Sequence, residues 1–151
     1  MKSFLQYLLE ADHSSGTYAA LVPDAASQLK LDELCKRLGI ETPDYLHCTV
    51  VYSDVPVPVI EEINPDLPIT SQTKGFDIFD TKEGKKCLVI RISSEDIYEL
   101  HKQTRVLGAN YHFPEYKPHV SLSMDYQETT IPKLPQMTIT FDKFEVRGLE
   151  E

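Results

Sequence analysis

What the chain of 151 residues lacks narrows its chemistry first. Its three cysteines, Cys35, Cys48 and Cys87, form no Cys-x-x-Cys pair and keep no zinc-ligand spacing. An odd count of this kind points to free thiols in a reducing, cytosolic compartment, not to a disulfide scaffold. Basic residues are scarce: 15 Lys and Arg stand against 24 Asp and Glu, a formal net charge of −9. Affinity for long nucleic acid comes largely from Lys and Arg displacing counterions. A phosphate-bearing partner is therefore expected to be small and held in a local pocket. No apolar run reaches the roughly 20 residues of a membrane-spanning helix, so no membrane partner is expected. The first residues, MKSFLQYLLEA, carry one lysine, are interrupted by Gln6 and run into Glu10 and Asp12. They fail the pattern of a secretory leader. No serine sits in a Gly-x-Ser-x-Gly elbow, no carboxylate cluster suggests a metal, and no third zinc ligand has suitable spacing.

What is present has an order. The length suits one core and not two, so residues 1–151 are expected to form one domain. Residues 1–13 would be a short helix with Phe4, Leu5, Leu8 and Leu9 on one face, docked on the body, closing as a lid, or serving as a capsid leader. TYAALVP (17–23) reads as a buried strand. Asp24 can cap a helix over 25–39, with Leu29, Leu34 and Leu38 apolar and Gly39 as its stop. LHCTVVYS follows as a strand. Residues 54–68 hold four of the ten prolines and read as a connection. ITSQTKGFDIFDT is a strand bent near Gly75, and CLVIRIS returns antiparallel after a turn. A helix capped by Ser93 or Ser94 ends at Gly108, a loop leads to HVSLSM, and QMTITFDKFEVRGL alternates as a last strand.

This order repeats. Strand, Gly-terminated helix, loop and strand with His-x-Thr fill the first half; the second half runs the same way to His-x-Ser. The two histidines, His47 and His119, lie 72 residues apart, and the leading strands start 70 apart. Two lobes related by a pseudo-twofold would bring the equivalent strands together, with the histidines facing across a cleft. In a strand, residues i and i+2 share a face. His47 with Thr49, and His119 with Ser121, would thus line one cavity, while Cys48, Val50, Val120 and Leu122 pack behind them. Two imidazoles and two hydroxyls suit cleavage of an RNA-type phosphodiester. One neutral imidazole takes a proton from the attacking oxygen and one protonated imidazole gives a proton to the leaving oxygen. The hydroxyls hold the non-bridging oxygens. No metal or cofactor is needed. A third His-x-Ser, at His13, lies in a polar stretch and reads as chance.

His47-Cys48-Thr49-Val50 and His119-Val120-Ser121-Leu122 resemble the twin His-x-Thr/Ser-x motifs of the two-histidine phosphoesterase superfamily, the LigT-like proteins. The resemblance covers most of residues 17–147, with Ser121 where many members carry Thr. It implies an α+β fold: two pseudo-symmetric lobes of antiparallel sheet, outer helices and a central concave site. Within the superfamily the chain is similar to phage enzymes that counter CBASS immunity by degrading cyclic oligonucleotide messengers such as cyclic GMP–AMP. The implied partner is a cyclic di- or trinucleotide. The implied reaction is attack of a ribose 2′-OH on the adjacent 3′–5′ phosphate, in the cytosol of the phage's host.

Other residues are weighed beside these four. Tyr116 and Lys117, just before the second motif, could stack on a base and neutralise phosphate, or be ordinary loop residues. Tyr18 could face the cleft, with core packing the stronger expectation. Glu145 and Arg147 alternate on the last strand, and a surface ion pair is favoured over reading a base edge. His101 is expected to face solvent from mid-helix, and His112 to sit in a loop. The rival functions are a 2′,3′-cyclic phosphodiesterase or 2′–5′ RNA ligase-like enzyme on linear RNA ends, a nucleotide-sequestering protein, and a structural phage protein.

Overall fold

The computed structural model describes residues 15–128, 130, 131 and 133–149. The N-terminal segment and His13 lie outside them. Among the described residues six strands and two α-helices follow one another: β1 (Thr17–Pro23), α1 (Ala25–Leu38), β2 (Cys48–Ser53), β3 (Ile69–Asp80), β4 (Lys86–Ser93), α2 (Glu95–Val106), β5 (His119–Ser123) and β6 (Thr138–Gly148). One turn of 3₁₀ helix, Pro58–Glu62, lies in the proline-rich connection, where proline density alone reads as irregular chain.

The helix ends follow from capping chemistry. The Asp24 carboxylate accepts the Ser27 N–H at 2.8 Å, and Gly39 closes α1 in the left-handed region at φ 70°. Such a cap is worth about 1 kcal/mol. Ser94 caps α2, with Glu95 and Asp96 in its first turn beside the positive helix end. Leu29 departs from expectation: it is 66% exposed, and Leu31, Leu34 and Cys35 form the buried stripe of α1.

All strand pairs are antiparallel and run β1-β2-β5-β4-β3-β6, with β6 closing on β1. The expected duplication is visible in that order. The unit β6-β1-β2 is repeated as β3-β4-β5; the halves meet at β2–β5 and again at β3–β6. The β2–β5 seam carries one register pair, Cys48↔Val120. These residues are also 72 apart, so each is the other's equivalent and the pseudo-twofold passes between them. Cys48, Val50, Val120 and Leu122 pack with Leu31, Cys35, Ile97 and Leu100 of the helices in the core. The opposite face of β2 and β5 is left for the site.

Candidate active site

An antiparallel register centred on Cys48↔Val120 sets His47 beside Ser121 and Thr49 beside His119. All four point away from the helix-packed face, because successive strand residues alternate sides. The structure thus brings together the four residues of the two motifs, each half-buried.

Both imidazoles are held in the same way. His47 Nδ1 lies 2.9 Å from the Tyr45 carbonyl, and His119 Nδ1 lies 2.8 Å from the Lys117 carbonyl. A carbonyl only accepts, so each Nδ1 carries its proton and donates it. In the neutral ring Nε2 is then the free base. Each ring is fixed in tautomer and direction by the carbonyl two residues earlier. Burial disfavours the charged form of both rings and lowers both pKa values. At His119 the charges of His47 and Arg91 lower it further, against Asp77. The charge of His47 thus reaches His119 across the cleft, while His47 also feels Arg147 and Glu145.

The surroundings of the rings differ. His47 stacks on Tyr45, centroids 4.4 Å apart at 16°, and meets the edge of Tyr18 at 6.0 Å. The Tyr18 hydroxyl is 3.4 Å from Thr49 Oγ1, so Tyr18 is buried yet turned to the site. Arg147 lies over Tyr18 at 4.9 Å and Tyr45 at 5.5 Å. The Tyr45 hydroxyl donates to Glu145 at 2.6 Å, which pushes Glu145 below the usual carboxylate range. The expected Glu145–Arg147 ion pair is replaced by closer partners. Glu145 pairs with Lys143 at 3.0 Å, and Arg147 rests on aromatic faces.

His119 instead meets the edge of Phe79, centroids 4.8 Å apart. It opens on a cavity of about 410 Å³ lined by Ile78, Phe79, Tyr111, Phe113, Lys117 and others. Lys117 is exposed there, as a phosphate-neutralising residue would need to be. Arg91 and Asp77, 3.5 Å apart, flank the same ring.

Two expectations are corrected. Tyr116 does not present a free face to a base. It stacks on His101, centroids 4.0 Å apart at 5°, and donates its hydroxyl to the Thr49 carbonyl at 2.6 Å, on the helix side of the sheet. His101 is buried, not solvent-facing. It falls on the stripe Ile97, Leu100, His101, Thr104, the i, i+3, i+4, i+7 spacing of a packed face, and donates Nδ1–H to the Val50 carbonyl at 2.7 Å. His112 is a loop residue beside Asp54, as expected, with its Nε2 2.5 Å from the carboxylate.

Sequence reading missed Tyr45, Phe79, Arg91 and Asp77. Tyr45 had a signal, an aromatic residue two positions before His47; the others reach the site only through the cross-strand register. Among the described residues no group of three or more His, Cys, Asp or Glu could hold a metal ion, and no helix is long and apolar enough to cross a membrane.

Solved structures place this arrangement in a class. TT0787 of Thermus thermophilus matches over 86% of each chain with a TM-score of 0.65 at 14% identity. Escherichia coli LigT in apo form matches over 86% of this chain and 84% of its own with a TM-score of 0.53, also at 14% identity. The fold is the LigT-like one that the twin motifs led us to expect. Within it, residues 15–151 match the model of the anti-CBASS protein Acb1 family, and the chain belongs to that family. Relatives bearing the name anti-CBASS protein Acb1 include those of Vibrio phage KVP40 (33% identity, 74% of each chain), Acinetobacter phage Ac42 (33%, 82% of each) and Enterobacteria phage T4 (27%, 87% of each).

Proposed function

We propose that this chain is a metal-independent phosphodiesterase that opens cyclic oligonucleotide messengers, such as 3′,3′-cyclic GMP–AMP, in the host cytosol, so that a phage evades CBASS immunity. One observation carries the reading: two imidazoles, each with Nδ1–H tied to a carbonyl and Nε2 free, flank two hydroxyls on one sheet face. Membership of the anti-CBASS family supports the biological role. We read residues 1–151 as one domain, with His47, Thr49, His119 and Ser121 as the catalytic set.

In this reading one neutral imidazole removes the proton of a ribose 2′-OH. The 2′-oxygen bonds to phosphorus, the P–O5′ bond breaks, and the other imidazole, protonated, gives its proton to O5′. The products are a 5′-hydroxyl and a 2′,3′-cyclic phosphate, so opening one bond of the ring is an isomerisation and needs no co-reactant. Thr49 and Ser121 donate to the non-bridging oxygens as charge builds there. Tyr18, Glu145 and Arg147 on one side and Lys117 on the other bind the rest of the ring. Tyr116, which we expected to stack on a base, acts behind the strand instead, through the Thr49 backbone.

The test is incubation with 3′,3′-cyclic GMP–AMP in EDTA beside a linear dinucleotide ending in a 2′,3′-cyclic phosphate, followed by mass spectrometry. Ring opening in EDTA that disappears in His47→Ala and in His119→Ala is the expected result. Cleavage of the linear end alone would move the activity to RNA ends. Tight binding without turnover of either would make the protein a nucleotide sponge.

A further inference from the structure

Among the described residues, one buried side-chain nitrogen has no hydrogen-bond partner: Nε of Arg91. An orphaned donor on a permanent cation calls for an explanation, such as a ligand or a catalytic task. Its position supplies one. Arg91 of β4 lies directly opposite His119 of β5, and opposite residues of an antiparallel pair share a face. Its other flank is Gly75 of β3, which has no side chain to cover the guanidinium. Asp77 Oδ2 lies 3.5 Å from Nη1, and the side chain keeps 24% of its exposure. The head group is thus set into the wall of the site and held on one side.

The first lobe has no basic residue at the equivalent β1 position: extending the register from Leu21↔Cys48 puts Val22 there. The cation that acts on His47 is Arg147 of β6, so each histidine has a guanidinium nearby, but from a different strand.

We infer that Arg91 is a further catalytic residue, whose guanidinium takes the non-bridging oxygens of the scissile phosphate beside His119 and Ser121. The inference rests on the phosphodiesterase reading above. A phosphodiester carries one negative charge before attack. When the 2′-oxygen, its proton already passed to one imidazole, adds to phosphorus, a second charge builds on the non-bridging oxygens. That charge leaves as the P–O5′ bond breaks and O5′ is protonated by the other imidazole. A neighbouring cation is worth most at that stage, so its contribution appears in kcat. A guanidinium can match two phosphate oxygens with two parallel N–H donors; Nε itself is closed to solvent, so the pair is made through the terminal nitrogens. The competing account is that Arg91 only pairs with Asp77 and holds β3 to β4.

Arg91→Lys, Arg91→Gln and Asp77→Asn, compared on 3′,3′-cyclic GMP–AMP with the thermal midpoint as a fold check, separate the two. Arg91→Gln is expected to lose about 10²–10³-fold in kcat, as for removal of one transition-state donor. Arg91→Lys, a point charge without the fork, loses roughly tenfold. Asp77→Asn loses less than about a tenth as much as Arg91→Gln, because the guanidinium remains. Wild-type kcat in Arg91→Lys, or equal losses in Arg91→Gln and Asp77→Asn, overturns the inference. If Arg91→Gln fails to fold, sulfur replacing each non-bridging oxygen in turn decides with Arg91→Lys. The wild type is expected to discriminate between the two diastereomers and Arg91→Lys to lose that discrimination; unchanged discrimination overturns the role. A wild-type protein that leaves the ring intact refutes the phosphodiesterase reading, whereas turnover indifferent to Arg91 refutes this inference alone.

Discussion

The two halves of the site are alike in what holds the histidines and unlike in what surrounds them. Each imidazole is tied through Nδ1 to the carbonyl two residues earlier, at 2.9 and 2.8 Å. Around His47, however, Tyr18, Tyr45, Glu145 and Arg147 form a closed wall of aromatic faces and hydrogen bonds. Around His119, Phe79 and an Arg91–Asp77 pair border an open cavity. In the proposed reaction the shared part would serve proton transfer at both ends of a P–O exchange, and the unshared part would receive a ring with two different bases. On that reading the repeated frame keeps the chemistry while the walls differ.

The largest expected effects test the shared part. His47→Ala and His119→Ala should each lower kcat by about 10²–10⁴-fold, with thermal midpoints near that of the wild type. A protein that tolerates either change would need one imidazole only, and the comparison would fail. Next come the hydroxyls. Thr49→Val and Ser121→Ala should each cost about 10²-fold in kcat; steady-state kinetics that show the loss in KM instead would make them binding groups. Smaller effects test the unshared part. Glu145→Gln and Phe79→Leu should each raise KM by about 3- to 10-fold and leave kcat within about twofold. If the asymmetry serves base recognition, the two variants should rank guanine- and adenine-containing rings differently. An identical shift for every ring would undo that claim.

A pH dependence follows from the same pair. Burial lowers both imidazole pKa values, so the bell of kcat/KM, which reports the free protein, should centre on the acid side of the ordinary imidazole value of about 6.5. Bound phosphate favours the imidazolium, so the bell of kcat should lie at higher pH. Coincident profiles would mean the phosphate does not contact the rings. The smallest effect concerns stability. The pKa of His101 is also lowered, mainly by burial. Below about pH 6.5 the unfolded chain therefore binds more protons than the fold. Stability from this group is complete above that pH and is lost as pH falls toward the folded pKa. His101→Asn, whose amide can still donate to Val50, should flatten part of that slope in urea unfolding at pH 7.5 and 5.5. It should cost about 1 kcal/mol at the higher pH through the lost stack on Tyr116. An unchanged slope would remove His101 from the account.

Much of this was legible in the chain. Alternation gave the strands to within two residues at most ends, Asp24, Gly39 and Ser94 marked the helix ends, and the 72-residue spacing exposed the duplication that puts the motifs together. Cross-strand neighbours outside the repeated motifs were not legible, because register is a property of two strands. Nothing near Arg91 announces that β4 will set it opposite His119. Tyr116 and His101 misled for a related reason. Each has polar neighbours in sequence, yet the packing of α2 on β2 turns both rings inward, where the Thr49 and Val50 carbonyls supply their partners. Glu145 and Arg147 looked like a pair because they alternate on one strand, until Tyr45, from a loop 100 residues earlier, took the carboxylate.

The single pair Cys48↔Val120 makes the centre of the site a pivot shared by both histidines. Each motif residue is next in sequence to that pair, so a displacement there moves both imidazoles at once, in opposite senses about the axis. The tolerance for bulk at this point is the tolerance of the whole two-histidine geometry. The occupant fits that demand. Cys48 is fully buried, its thiol pushed up to about 12 by burial, and it therefore stays protonated, small and slow to oxidise in the one place where a single added oxygen would misalign two motifs together.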